Sequence, residues 1–203
     1  MACKLLLATG NPGKVREYRT LLSGISFELV TLQEAGINIV VEETGCTFEE
    51  NARLKAVTLA KQSHLITLAD DSGLEVDALG GEPGVMSARY AGENASDTDR
   101  VNFLLEKMTG IPWDKRTARF KCVIAIATPA GDVALCNGEC HGFISFEPKG
   151  DNGFGYDPLF YFPELGKTIA ELTTEGKDRI SHRARASMKV PEILSRPSFA
   201  CTE

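Results

Sequence analysis

The chain has 203 residues, 43% hydrophobic and 25% charged, with a formal net charge of −6 and a sequence pI of about 5.2. This is the composition of an ordinary globular protein, long enough for a sizeable core in one domain or two close lobes. The acidic balance argues against a large nucleic-acid footprint, which is usually basic, and no stretch approaches the ~18 apolar residues of a membrane span.

The six cysteines, Cys3, Cys46, Cys122, Cys136, Cys140 and Cys201, show no paired CxxC spacing. Cys136, Cys140 and His141 suggest zinc at first sight. On a strand, however, Cys136 and Cys140 share a face while His141 points away, and no second ligand cluster follows. Dispersed cysteines without a signal-like leader fit a reducing compartment and a cytoplasmic location.

Leu5-Leu6-Leu7-Ala8 is a compact apolar run that predicts a central strand. Thr9-Gly10-Asn11-Pro12-Gly13-Lys14 follows, and then a helical pattern with Val15, Tyr18, Leu21 and Leu22 on one face. Strand, Gly-rich turn and helix present backbone N–H groups and a helix N-terminus to phosphate. A P-loop is excluded, because Gly10 lies too close to Lys14 and Val15 stands where Ser or Thr is needed. The competing reading is a plain strand-to-helix loop with Pro12 near the first helical position. Phe27–Val30 predicts a second strand and Gly36–Val41 a weaker β-rich run. Glu42-Glu43-Thr44-Gly45 is an acidic turn. Thr47 and Glu50 have the spacing of a capping box. The helix behind them carries a stripe of Phe48, Ala52, Ala56 and Ala60. Asn51 and Lys55 sit one turn apart and either point together into a cleft or form a solvated face.

The run Leu65–Ala69 ends in Asp70-Asp71-Ser72-Gly73. A short apolar run bounded by turn residues reads as a buried strand, and the carboxyl ends of such strands face the ligand crevice of open α/β sheets. Because neighbouring strand residues point to opposite faces, Asp70 and Asp71 are not expected to share one metal. One carboxylate faces a ligand and the other braces the loop. The competing reading is a simple β-turn. Beyond it, Gly80–Gly84 is a loop, and Ser96-Asp97 start a helix with Val101, Leu104, Leu105 and Met108 inward. Arg119–Ala127 and Val133–Ile144 form a long hairpin. Gly153–Pro158 is a Gly-rich loop in which Phe154 and Tyr156 offer stacking faces for a base, or else pack on the core. Lys177 and Ser181-His182-Arg183 lie in a helical stretch with Ala184, Met188 and Ile193 apolar, which Pro191 should kink or end.

Six motifs occur together and in order: TGNPGK at 9–14, EETGxTFxENAxxKA at 42–56, ADDSGL at 69–74, GxPGVxSARYAG at 81–92, FGYDPLF at 154–160 and SHR at 181–183. In this the chain resembles the inosine triphosphatase family, the non-canonical purine nucleoside triphosphate pyrophosphatases or XTP/dITP diphosphatases, from Leu5 to about Leu194. The resemblance implies an α/β fold: an elongated mixed β-sheet with flanking helices and two lobes around a central substrate cleft. It implies one domain over residues 1–203, with 196–203 a frayed tail. It also implies a homodimer and Mg²⁺-dependent hydrolysis of ITP, dITP and XTP to monophosphate and pyrophosphate, cleansing the nucleotide pool. By motif match Thr9, Gly10, Asn11, Pro12, Gly13 and Lys14 would hold the triphosphate. Glu43 and Asp71 would serve the metal, with Asp71 the base for the attacking water, and Ser72 would touch substrate. Phe154, Gly155, Tyr156, Asp157, Lys177, His182 and Arg183 would hold the nucleoside end, His182 and Arg183 donating to the 6-carbonyl of the base. Met86, Gly176 and Pro191 depart from the family's pattern. Two alternatives stand beside this reading: a non-catalytic nucleotide sensor, and an enzyme of the same fold acting on pyrimidine triphosphates, like the related Maf proteins.

Overall fold

The computed structural model describes residues 3–200. Seven strands form one sheet: β1 (Cys3–Leu7), β2 (Phe27–Thr31), β3 (Ile66–Val76), β4 (Thr117–Ala127), β5 (Val133–Ile144), β6 (Phe160–Phe162) and β7 (Lys167–Thr168), in the order β2-β1-β3-β4-β5-β6-β7. β1 pairs in parallel with β2 and β3, whereas β6 pairs antiparallel with β5 and β7, so the sheet is mixed. The helices are α1 (Pro12–Leu21), α2 (Phe48–Ser63), α3 (Asp97–Lys107), α4 (Thr174–Ile180), α5 (His182–Ser187) and α6 (Val190–Leu194). None among the described residues is long and apolar enough to cross a membrane.

The chain divides into two compact units. One comprises residues 1–71, 122–138 and 183 onward, and the other residues 72–121 and 139–182. In the first unit the sheet is covered on both faces. Leu5, Leu7, Ile66 and Leu68 pack with Tyr18 and Leu22 of α1, Ala186 of α5, and Val190 and Ile193 of α6. Leu6, Ala8 and Ala69, of the other parity, pack with Ala52, Ala56, Leu59 and Ala60 of α2. A central strand buried on both faces is a continuous apolar run rather than an alternating one, which is why Leu5-Leu6-Leu7 is all leucine. The alanine stripe of α2 lets that helix lie close to the sheet. In the second unit Leu74, Val76, Leu104, Met108, Phe120, Cys140, Phe160 and Ile169 form a separate core.

Several elements differ from expectation. β3 does not end at Ala69 in a turn. It continues through Asp70-Asp71-Ser72-Gly73 to Val76 and is buried for most of its length. Its place between β1 and β4 supplies hydrogen-bonding neighbours on both edges, and that pairing overrides the turn preference of Asp, Ser and Gly. Gly36–Val41 forms no strand. Only Ile37 and Val41 of it pack on the core, and Val40 is exposed. Pro191 sits in the first turn of α6, where its missing N–H is harmless, so it starts a helix rather than kinking one. Met188 is exposed. The tail is ordered as far as Phe199, which is buried in the first unit's core after a short turn at Pro197–Phe199; 201–203 lie outside the described residues.

Candidate active site

The strand alternation of β3 separates the two aspartates. Asp70 has the parity of Leu68 and lies on the face covered by α1 and α5. Its Oδ2 is 2.9 Å from Lys14 Nζ and 3.4 Å from Arg183 Nη2, and it accepts a weak bond from Cys122 Sγ. Asp71 has the parity of Ala69 and meets α2. Asn51 Nδ2 donates to Asp71 Oδ2 at 3.1 Å, and Lys55 Nζ lies 3.7 Å from Asp71 Oδ1. Both carboxylates are buried. Burial alone would raise the pKa of Asp70, but Lys14, Arg183 and Lys55 hold it well below the usual carboxylate range. For Asp71 burial prevails: its pKa is raised although Lys55 and Lys14 pull it down, and Glu43 pushes the same way as burial.

Glu43 belongs to the irregular segment before α2. Lys55 Nζ donates to Glu43 Oε1 at 2.6 Å and to the backbone oxygen of Asp70 at 2.7 Å. One ammonium therefore lies against both Glu43 and Asp71. Burial would discharge Lys55, but Asp71, Asp70 and Glu43 together raise its pKa, so it stays a cation. Thr47 caps α2 with a capping box completed by Glu50.

The turn 9–14 leads into α1 with Pro12 as the first helical residue. Asn11 Oδ1 accepts from the N–H groups of Gly13 at 2.8 Å and Lys14 at 3.2 Å, and Thr9 Oγ1 accepts from Asn11 N–H. Asn11 thus satisfies two of the orphan donors that every helix start leaves. Lys14 extends from this turn to Asp70.

Arg183 departs from expectation. Its guanidinium is 1% exposed, with Nη1 on Glu17 and Nη2 on Asp70, where a donor directed at a base was expected. Desolvation works against its charge, but Asp70 and Glu17 more than compensate and keep it ionised. Glu17 was not singled out in the sequence. It lies in α1, three residues after Lys14.

In the second unit, Asp157 is the hub. Its Oδ2 accepts from Lys177 Nζ at 2.5 Å and from Phe154 N–H at 2.9 Å. Gly153, at φ +81°, leaves room for it: a Cβ there would lie 2.0 Å from Asp157 Oδ2. Lys177 Nζ stands 4.7 Å from the centre of the Phe154 ring, Gly155 N–H donates to Asp97 Oδ2 at 2.7 Å, and His182 stacks on Phe120 with centroids 4.8 Å apart. Tyr156 offers no stacking face: it is buried in the core and its hydroxyl donates to Ser87 O. Ser72 follows Asp71 in β3 and is half-buried.

A mixed α/β sheet whose central strand carries two carboxylates, each matched to cations from neighbouring helices, defines an open α/β protein with a charged strand-centre site. The particular family follows from comparison with known proteins. The Ham1 family model matches residues 5–193. A protein named dITP/XTP pyrophosphatase from Desulforamulus reducens is 52% identical over 193 residues, covering 95% of this chain and 96% of that one. One of the same name from Bacillus subtilis is 46% identical, covering 93% and 96%. A solved structure of a HAM1 protein from Coxiella burnetii superposes with a TM-score of 0.86 at 42% identity, covering 95% of this chain and 98% of that one. The chain belongs to the Ham1 family.

Proposed function

We propose that this protein hydrolyses non-canonical purine nucleoside triphosphates, dITP, XTP and ITP, to the monophosphate and pyrophosphate. The observation that carries the reading is the convergence of Glu43 and Asp71 on a single cation, Lys55 Nζ, at 2.6 and 3.7 Å. The names of the relatives, dITP/XTP pyrophosphatase, support the substrate class.

Two hard oxygen donors that already meet at one cation fit a divalent metal. No group of three or more His, Cys, Asp or Glu among the described residues could hold one unaided. Mg²⁺ does not ask for that: it takes one or two carboxylates and fills its shell with water and phosphate oxygens. Glu43 and Asp71 would hold it, and when bound it would neutralise phosphate charge and lower the pKa of a bound water.

The chain's own residues supply the rest. Lys14 brings a positive charge to the start of α1, in the turn Thr9–Lys14 that would hold the triphosphate; Asn11 and Thr9 keep that turn in shape. Asp71, its proton affinity raised by burial, accepts the proton of the water that attacks the α-phosphorus, a general-base role. Asp70 takes no part in proton transfer; its low pKa makes it a fixed anion that seats Lys14. Ser72 touches the substrate beside Asp71. Phe154, Gly155, Asp157, Lys177 and His182 hold the nucleoside, Lys177 and His182 being donors suited to a 6-carbonyl and mismatched to the 6-amino group of adenine. Arg183 enters through Glu17 and Asp70 rather than as a free donor to the base. The protein acts as a homodimer in the cytoplasm.

The test is a panel of nucleoside triphosphates with Mg²⁺, followed by separate measurement of pyrophosphate and orthophosphate. Pyrophosphate and monophosphate should appear together from dITP, XTP and ITP, with ATP far poorer. Orthophosphate plus a nucleoside diphosphate as first products would remove the reading. Binding without turnover would favour a sensor, and a preference for pyrimidine triphosphates would favour Maf-like chemistry. Sedimentation velocity decides the dimer.

A further inference from the structure

We infer that Asn51 is a positioning residue that locks Asp71 to the segment bearing Glu43, and so sets the spacing of the two carboxylates before any metal arrives. The inference rests on the reading of Glu43 and Asp71 as a metal-holding pair.

Asn51 is 1% exposed, in the first turn of α2. Its side-chain oxygen accepts from Gly45 N–H at 2.8 Å, and its side-chain nitrogen donates to Asp71 Oδ2 at 3.1 Å. A backbone N–H can only donate, so the amide oxygen must face Gly45. The amide nitrogen is thereby committed to Asp71. One planar group spans two segments, the loop two residues after Glu43 and the strand centre at Asp71.

The loop is pinned next to it. Glu50 Oε2 accepts from Cys46 N–H at 2.7 Å and from Thr47 N–H at 3.2 Å. Three consecutive backbone donors, at Gly45, Cys46 and Thr47, are thus gathered by two adjacent side chains of the first turn of α2. Gly45 makes this approach possible. A Cβ on it would lie 2.7 Å from Asn51 Oδ1 and 2.7 Å from Glu50 Cβ. Its φ is outside the left-handed region, so the glycine is needed for room and not for backbone freedom. The fold has closed the distance between this loop and this amide as far as atoms permit.

Asn51 occupies Asp71 Oδ2, which fixes the carboxylate's rotation and presents Oδ1 on the side of Lys55 and Glu43. Side chains that orient a metal-holding carboxylate commonly matter about 10–100-fold in affinity or activity.

The experiment measures Mn²⁺ binding to the free protein by calorimetry, without nucleotide, and dITP turnover in parallel, for wild type, Asn51→Ala, Gly45→Ala and the double variant. Thermal unfolding confirms that each is folded at the assay temperature. Mn²⁺ affinity should fall about 10–100-fold in Asn51→Ala, with the loss in turnover appearing in kcat more than in KM. Gly45→Ala pushes on the same amide and should show a loss of the same kind. The double variant should lose much less than the two single losses combined, as coupled sites do. Mn²⁺ affinity unchanged in both single variants, an additive double variant, or no Mn²⁺ binding by the wild type would overturn the inference. A wild type that binds Mn²⁺ but releases no pyrophosphate would instead remove the proposed function and leave the role of Asn51 to be decided by the binding data. Gly45→Ala retains the Asn51 side chain and removes no core group, so its Mn²⁺ affinity decides the matter even if Asn51→Ala does not fold.

Discussion

Asp70 and Asp71 are neighbours of the same chemistry in opposite surroundings, because β3 turns one to α1 and α5 and the other to α2. Asp71 is the proposed base, its pKa raised by burial. Asp71→Asn should lower turnover by about 10²–10⁴, with an unfolding temperature close to wild type. Comparable turnover in the two proteins would deny Asp71 its role. Asp70 is held ionised among Lys14 and Arg183, and removing one partner of a buried charge cluster costs about 3–5 kcal/mol. Asp70→Asn should therefore lower the unfolding temperature by roughly 6–20 °C, at about 2–4 °C per kcal/mol for a chain of this size. The pH dependence has a definite sign. The native pKa of Asp70 lies below its ordinary 3.8, so its contribution to stability is complete above that value and is lost as the pH falls below it. Calorimetry from neutral pH downward should show the gap between wild type and Asp70→Asn narrowing only below about pH 3.8. The placement of the two aspartates on opposite faces was legible from the two-residue period of a strand. The partners were not: Asn51 and Lys55 read equally well as a solvated face, and Glu17 gave no signal. Asn51 reaches the Asp71 carboxylate across 20 residues, Lys55 reaches the backbone oxygen of Asp70 across 15, and Glu17 pairs with Arg183 across 166, and no local pattern encodes such contacts.

At the scale of elements, the first turn of α2 holds the loop 44–47 by its capping box and by Glu50. Thr47→Ala removes the bond that Glu50 N–H makes to Thr47 Oγ1 and should cost about 1 kcal/mol, a fall of roughly 2–4 °C in unfolding temperature. No fall would mean that tertiary packing alone sets the start of this helix. The capping box, the alanine stripe and the helix after Asn11 were all readable, because each is a local rule of spacing. β3 was misread where local and tertiary preferences disagree. Asp-Asp-Ser-Gly favours a turn in isolation, yet a strand with neighbours on both edges keeps its residues extended. Pro191 was read in part: the helix does end before it, at Ser187, but the ring, which forbids a helix interior, suits the first turn of a new helix, α6.

Across the whole molecule, the charge of the site is nearly balanced without metal. The carboxylates of Glu17, Glu43, Asp70 and Asp71 lie among Lys14, Lys55 and Arg183. Chelation with EDTA should therefore abolish dITP turnover while shifting the unfolding temperature by no more than about 2 °C, unlike a structural metal, whose removal unfolds its domain. A large shift would show the metal to be part of the fold. Strands β1, β2, β4 and β5 could be read from sequence, but the short strands β6 and β7, the strand order and the division into units could not, since these are set by pairings distant along the chain.

The unit that bears Asp70 is built from three separate stretches, and Arg183 belongs to the last of them. Arg183 and Asp70 are 113 positions apart. On a ribosome adding about 5–20 residues per second, Asp70 emerges roughly 6–23 s before its guanidinium partner exists. For that interval the nascent chain has Lys14 and Lys55 but not Arg183 beside Asp70, and the face of β3 lacks the cover of Ala186, Val190, Ile193 and Phe199. Charge matching and apolar cover reach this unit together, late in synthesis.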